Sequence, residues 1–331
     1  MPIAVHGSKR VGSRCVALST LWSRRMGLAA PIVNAPMGGA AGGALAAAVS
    51  RAGGLGMIGM GSSATAARLA AELPHVSGLA HPFGIGLVHW VLEAEPDLLE
   101  VALSAKPALL AVSFGDDWAW VQRAHDAGVP VAVQVADVTA ARRAVDAGVD
   151  VVVARGAEGG GHGEPRIGTL PLLAEVLDAV PVPVLAAGGI ASGRGLAAVL
   201  AAGAAGAWLG TVFTTCTEAL TSPAARVPLL AASADDTVTT RVFDVAQEYP
   251  WPATLPERVL RNDFVDRFDG REELVDADAR AALAEAVADE DYRVAPVNAG
   301  QGVGMVREPC SAAEVMERLC AEAERLLRRW V

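Results

Sequence analysis

Along most of the chain, short runs of continuous apolar residues alternate with segments whose apolar residues recur every three or four positions. The first pattern marks strands buried on both faces, and the second marks amphipathic helices. From Pro31 onward the predicted strands are PIVNAPM, LGMIGMG, PFGIGLVHW, PALLAVSFG, VPVAVQVA, VDVVVARG, VPVLAAGGI and AGAWLGTVF. Between them lie the predicted helices GALAAAVSRAG, ATAARLAAEL, PDLLEVALSA, WAWVQRAHDAG, TAARRAVDAG, LPLLAEVLDAV and GRGLAAVLAAG. Gly53, Gly128, Gly148 and Gly203 fall where a helix closes on a left-handed residue. Eight βα units of this kind predict an α/β fold, a closed (β/α)8 or TIM barrel. An open doubly wound sheet is the alternative. It calls for a GxGxxG turn after the first strand and an acidic residue ending the second. The chain has PMGGAAGG and MGSS at those places.

After about Cys216 the periodicity breaks. Residues 217–310 are irregular and rich in tryptophan, proline and charge, with VFDVAQEYPWPATLPERVLRNDF followed by a charged helix near Asp276–Asp289. This reads as a smaller, α-rich insertion covering the barrel mouth. Helical spacing returns in SAAEVMERLCAEAERLLRRW, with Ser311 as N-cap and Glu314 completing a capping box. That segment is the expected eighth barrel helix. The predicted organisation is an N-terminal extension (1–20), a barrel (21–216 plus 311–331) and an inserted lid (217–310).

Composition narrows the function. The 331-residue chain is 52% hydrophobic and 19% charged, enough apolar residue for a large core. Its net charge of -10 argues against nucleic acid as a partner, yet leaves a small anion held by backbone amides open. Gly195–Thr217 is uncharged and long enough to span a bilayer, but it changes from helical to strand-like spacing at Gly203, so no membrane span is expected. Cys15, Cys216, Cys310 and Cys320 form no CxxC pair and match no zinc spacing. They read as free thiols of a cytoplasmic protein.

The chemistry concentrates at predicted strand ends. Gly188-Gly189 and Gly210-Thr211 end the seventh and eighth strands, where barrels commonly bind phosphate through backbone N–H groups. Met37 and Gly38, in the loop Ala35–Gly39, suit backbone contact with a flat ring, or simply a turn before a small-residue helix. His162 follows three glycines in EGGGHGE and is the candidate acid or base. No metal-ligand spacing surrounds it, so no metal is expected. Gln134 is polar within a strand that should face an apolar interior. His89, ending the third strand, either faces the pocket or packs. Gln301 and Gly302, in NAGQGVG, either close the pocket or connect elements.

PIVNAPMGG, AVSRAGGLGMIG, GAEGGGHGE, AAGGIASGRGLAAVLAAGA, LGTVF with Glu218, and NAGQGVG, in this order, make the chain resemble the nitronate monooxygenases, FMN-dependent barrel flavoproteins. The resemblance runs from about Leu21 to the C-terminus. It implies FMN, with the phosphate on Gly188, Gly189, Gly210 and Thr211, and ring contacts from Ala35, Met37, Gly38, Gln134 and Gly161. It places His162 as the catalytic residue in the oxidation of alkyl nitronates by O2 to a carbonyl compound and nitrite. The chain departs from the family pattern at Gly159, where alanine is usual, at Glu164, where glycine is usual, and at Gly86, where asparagine often stands. An NAD(P)H-dependent FMN reductase on the same barrel is the alternative, and a flavin-binding protein without strong turnover is a second. A nucleotide-binding barrel of the IMP type ranks last, because no cysteine lies near Gly156–Gly163. The expected partners are a small-molecule substrate and O2, with a homodimer compatible.

Overall fold

The fold is that of a computed structural model, which describes residues 18–330. The first nine strands in chain order are β1 (Ile32–Asn34), β2 (Gly56–Gly59), β3 (Phe83–Val88), β4 (Leu109–Ser113), β5 (Val131–Val135), β6 (Val151–Arg155), β7 (Gly161–His162), β8 (Val184–Ala187) and β9 (Gly206–Leu209). All but β7 join one eight-stranded parallel sheet in the order β1-β9-β8-β6-β5-β4-β3-β2. A parallel bridge between Val33 and Leu55 brings its two ends together, so the sheet is a nearly closed barrel.

The seam between β1 and β2 is held by a side chain. Asn34 is fully buried; its amide nitrogen donates to the Met57 carbonyl (2.9 Å), and its oxygen accepts from the Met57 N–H (2.8 Å). One asparagine thus supplies the pair of bonds a longer ladder would make. Within the strands, side chains alternate as a barrel demands. Val33, Met57, Leu109, Ala111, Ala132, Val151, Val153, Leu185, Ala187 and Trp208 form the interior cluster, while Ile32, Ile58, Leu110, Val152, Ala186 and Ala207 belong to the layer against the helices. Trp22, on the short helix Leu21–Arg25, joins the interior cluster.

The helical expectations hold. Gly53, Gly128, Gly148 and Gly203 all have positive φ at helix ends. The last helix, Ala312–Leu327, starts on the Ser311 capping box and packs against the helices Gly193–Ala201 and Gly43–Arg51. Its Glu322 accepts from the Gly193 N–H (2.9 Å), where Gly193 leaves no room for a Cβ. It therefore occupies the eighth helical position. Among the described residues, no helix is long and apolar enough to cross a membrane.

Two local expectations change. The last predicted strand, AGAWLGTVF, stops at Leu209; Thr211–Thr214 is a single helical turn entered through Gly210. Its β-branched residues read as strand, but Thr214 Oγ1 donates to the Thr211 carbonyl (2.7 Å), a local bond that competes with the ladder. The last glycine before His162, Gly161, also enters a strand with it. Between Cys216 and Ser311, besides the helices Pro223–Ala231, Val242–Gln247, Asp263–Phe268 and Ala277–Ala288, stand two strands, β10 (Thr237–Thr240) and β11 (Glu257–Leu260). They pair antiparallel, and β7 adds to β11, with Glu257 directly opposite His162. The histidine loop of the barrel is therefore one edge of the inserted sheet.

Candidate active site

The mouth of the barrel opens into a cavity of about 880 Å³. Every residue expected from the sequence to hold a cofactor lines it: Ala35, Met37, Gly38, Gln134, Gly161, Gly188, Gly189, Gly210 and Thr211. So does His162. Gly302 lines it as well, but Gln301 does not; its side chain is exposed, and its N–H donates to the Glu158 carbonyl (2.9 Å). At this edge the wall is made by Gly300 and Gly302, not by the Gln301 side chain.

The two glycine loops present donors. Among the described residues, the N–H groups of Gly189, Gly210 and Thr211 donate to no protein acceptor. Thr211 Oγ1 accepts from the Gly300 N–H (2.9 Å), which leaves its own hydroxyl hydrogen available. Gly188 has φ +113, and a Cβ there would lie 2.6 Å from Thr169 Oγ1. The loop is buttressed from below: Glu158 accepts from the Thr169 N–H (2.9 Å) and hydroxyl (2.8 Å) at the start of the helix Thr169–Ala179.

The first loop lies tightly on its neighbours. A Cβ on Gly38 would meet Gly61 Cα at 2.5 Å, and one on Gly86 would meet Pro36 Cγ at 2.2 Å. The Pro36 ring thus fills the space a side chain at position 86 would need.

Three residues from the insertion complete the site around His162. Its Nε2 lies 2.9 Å from Asp244 Oδ1, and the imidazole stacks on Trp251 with 3.6 Å between ring centroids and 7° between planes. Trp251 makes edge contacts with Phe114 and Trp90, and its Nε1 donates to Ser62 Oγ (3.0 Å), tying the insertion to the loop after β2. Glu257 comes from β11, whose pairing with β7 puts its side chain on the same face as the imidazole. The ligand-type atoms of His162, Asp244 and Glu257 all lie within 4.8 Å of one another. Burial, then the charge of Asp244, pushes the Glu257 carboxyl up to about 8.

Arg155, ending β6, holds the glycine run from inside. Its guanidinium donates to the carbonyls of Gly159 (2.9 Å), Gly160 (3.1 Å) and Gly161 (3.0 Å). Burial and the nearby Arg258 lower it to about 10, which still leaves it cationic at neutral pH. A Cβ at Gly163 would lie 2.1 Å from Arg155 Nη1, and one at Gly159 3.0 Å from its Cζ, so the guanidinium leaves little room at either position. Glu164 turns away and pairs with Arg166 (2.7 Å).

The remaining sequence candidates lie elsewhere. His89 does not line the pocket; it starts the helix His89–Ala94 and packs under Gly115. Cys216 is buried outside the pocket, and burial pushes its thiol upward. Residues 1–17, including Cys15 and most of the expected extension, fall outside the described residues. Sequence reading missed Arg155, Phe114, Asp244, Trp251 and Glu257. Only Asp244 left a local signal, a lone acid inside the apolar stretch VFDVA.

Comparisons with known proteins agree with this architecture. The family model described as nitronate monooxygenase matches residues 20–322. A nitronate monooxygenase of Pseudomonas aeruginosa is 32% identical over 354 aligned positions, covering 91% of this chain and 98% of that protein. Rv1533 of Mycobacterium tuberculosis is 40% identical over 199 residues, and there the chain spans only 60% of itself and 50% of its relative. Among solved structures, FabK of Thermotoga maritima superposes with a TM-score of 0.82 at 29% identity, covering 93% of this chain and 97% of that one. A nitroalkane oxidase of Streptomyces ansochromogenes gives 0.80 at 30% identity, covering 93% and 100%. Matched over nearly its whole described length, this chain belongs to the nitronate monooxygenase family and is an oxidoreductase.

Proposed function

We propose that this protein binds FMN at the barrel mouth and oxidises alkyl nitronates with O2 to a carbonyl compound and nitrite. The observation that carries the reading is one cavity uniting the glycine loops of β8 and β9 with a histidine held by a buried aspartate. The residues fit the cofactor: N–H groups without protein acceptors at Gly189, Gly210 and Thr211 suit its phosphate, and small residues at Ala35, Gly38 and Gly161 admit a flat ring. Met37 and Gln134 would contact the same ring system. When bound, FMN supplies the redox chemistry between substrate and O2. His162 takes a proton from a neutral nitroalkane or orients the nitronate anion, and the Trp251 wall keeps water from that side of the imidazole.

The test is direct. Purified protein supplied with FMN should release nitrite from the nitronate of 2-nitropropane in air, and the nitronate alone should bleach the flavin anaerobically. Absence of both would overturn the reading. The second reading is an FMN reductase. It is favoured by the reach of the cavity past the glycine loops to Arg68, Ser222 and Tyr292, room for a ligand larger than a small nitronate. Anaerobic bleaching by NADH or NADPH, with none by a nitronate, would establish it instead.

A further inference from the structure

The strongest unassigned feature is the meeting of two buried acids and one histidine across two parts of the fold. Asp244 is 4% exposed on the helix Val242–Gln247, where it shares a turn with the core residues Val242, Phe243 and Ala246. A carboxylate in such a place needs a donor. The donor is His162 Nε2, 82 residues earlier in the chain. Glu257 is 5% exposed and lines the same cavity, and its carboxyl has no hydrogen-bond partner among the described residues.

From this geometry we infer that Asp244 is a positioning residue for His162: it keeps the proton of the neutral ring on Nε2, so that the Nδ1 lone pair is the base, while Glu257 stands beside the pair in its protonated form. The inference rests on the proposed nitronate chemistry for its catalytic consequence, and on the geometry alone for the tautomer.

The argument is one of donors and charge. Ionised Asp244 only accepts, so the nitrogen facing it carries hydrogen. Two carboxylates this close to each other and this poorly hydrated do not both ionise easily. Glu257 has the less favourable place, with no donor facing it, and keeps its proton up to about pH 8. One negative charge then faces one imidazole. The other charged groups near this sheet lie aside from it: Arg258 reaches the Ala157 carbonyl (3.2 Å) and Thr237 Oγ1 (3.2 Å), and Arg155 is spent on the glycine carbonyls. When a neutral nitroalkane reacts, its C–H bond breaks, the electron pair stays on the substrate as the nitronate, and the proton goes to Nδ1. The resulting imidazolium is then paired with Asp244 and stacked on the Trp251 ring. A preformed nitronate skips this step.

That difference provides the experiment. In flavin-loaded Asp244→Asn, turnover of neutral 2-nitropropane should fall about 100-fold, at least about tenfold further than turnover of its preformed nitronate. Equal loss on both substrates, or loss on neither, would overturn the inference. The tautomer is read separately by proton NMR without any substrate. Wild-type protein should show a far-downfield imidazole N–H resonance, assigned by its disappearance in His162→Asn and lost in Asp244→Asn. Its absence from the wild type would overturn the inference even if nitrite is produced. Its presence in a protein that oxidises neither substrate would overturn the proposed function and leave the pairing standing. For Glu257, the infrared spectrum at neutral pH should contain a protonated-carboxyl band that vanishes in Glu257→Gln; an unchanged spectrum would remove Glu257 from the cluster.

Discussion

Individual side chains here are legible only with their neighbours. Glu257 is the sharpest case. Its folded carboxyl holds a proton up to about pH 8, whereas an unfolded one loses it near 4.5. Between those values the native state binds more protons than the unfolded state. Stability therefore falls as pH rises through this window and levels off above it, by a term on the order of 5 kcal/mol. Glu257→Gln carries no such charge. Urea midpoints of the variant should be higher than wild type at pH about 8, with the gap closing toward pH about 5. A variant that tracks the wild type at both would show that Glu257 ionises freely. Gly86 makes a steric prediction. Restoring the family asparagine by Gly86→Asn would drive its Cβ into the Pro36 ring, so it should cost about 1–3 kcal/mol. Chemical denaturation would read the loss, and an undiminished midpoint would mean that the loop yields.

At the scale of elements, the seam and the shared sheet matter most. The strands β1 and β2 meet through a single bridge plus the Asn34 side chain. Asn34→Leu keeps the branched shape but leaves the Met57 N–H and C=O without partners. The expected loss is about 2–4 kcal/mol, with faster amide exchange at Met57; unchanged exchange there would refute the seam. The pairing of β7 with β11 has another consequence. His162 is fixed by a strand from the insertion, so the orientation of the candidate base depends on that region being folded. The end of the glycine run, Gly161, joins a strand with His162 because β11 pairs with it, while Arg155 gathers the carbonyls of all three glycines.

For the whole molecule, the expectation concerns ligand linkage. A cofactor that binds only the folded barrel stabilises it by about 2.7 kcal/mol at 100 times its dissociation constant, which should raise the melting temperature by at least about 3 °C. Riboflavin, which lacks the phosphate, should give a smaller shift if the glycine loops of β8 and β9 hold that group. Equal shifts would place the affinity in the ring contacts instead. A net charge of -10 does not oppose this, because the proposed phosphate donors are backbone amides within one concave site.

Local pattern by itself determined the barrel. Continuous apolar runs, amphipathic segments and closing glycines are short-range consequences of burying both faces of a parallel sheet, so they are written every few residues. The same pattern found the glycine loops and His162, since barrels present chemistry where their strands end. Tertiary structure alone decided what surrounds that histidine. Asp244, Trp251 and Glu257 reach it through a strand pairing and a stacked ring between segments some 80 to 95 residues apart. Such contacts depend on where distant segments pack, and no periodicity along the chain encodes that. The same holds for Gly86, whose neighbour Pro36 comes from another strand end, and for Asn34, whose partners lie across the seam. Periodicity reports which face of an element is buried; only the folded chain reports what it is buried against.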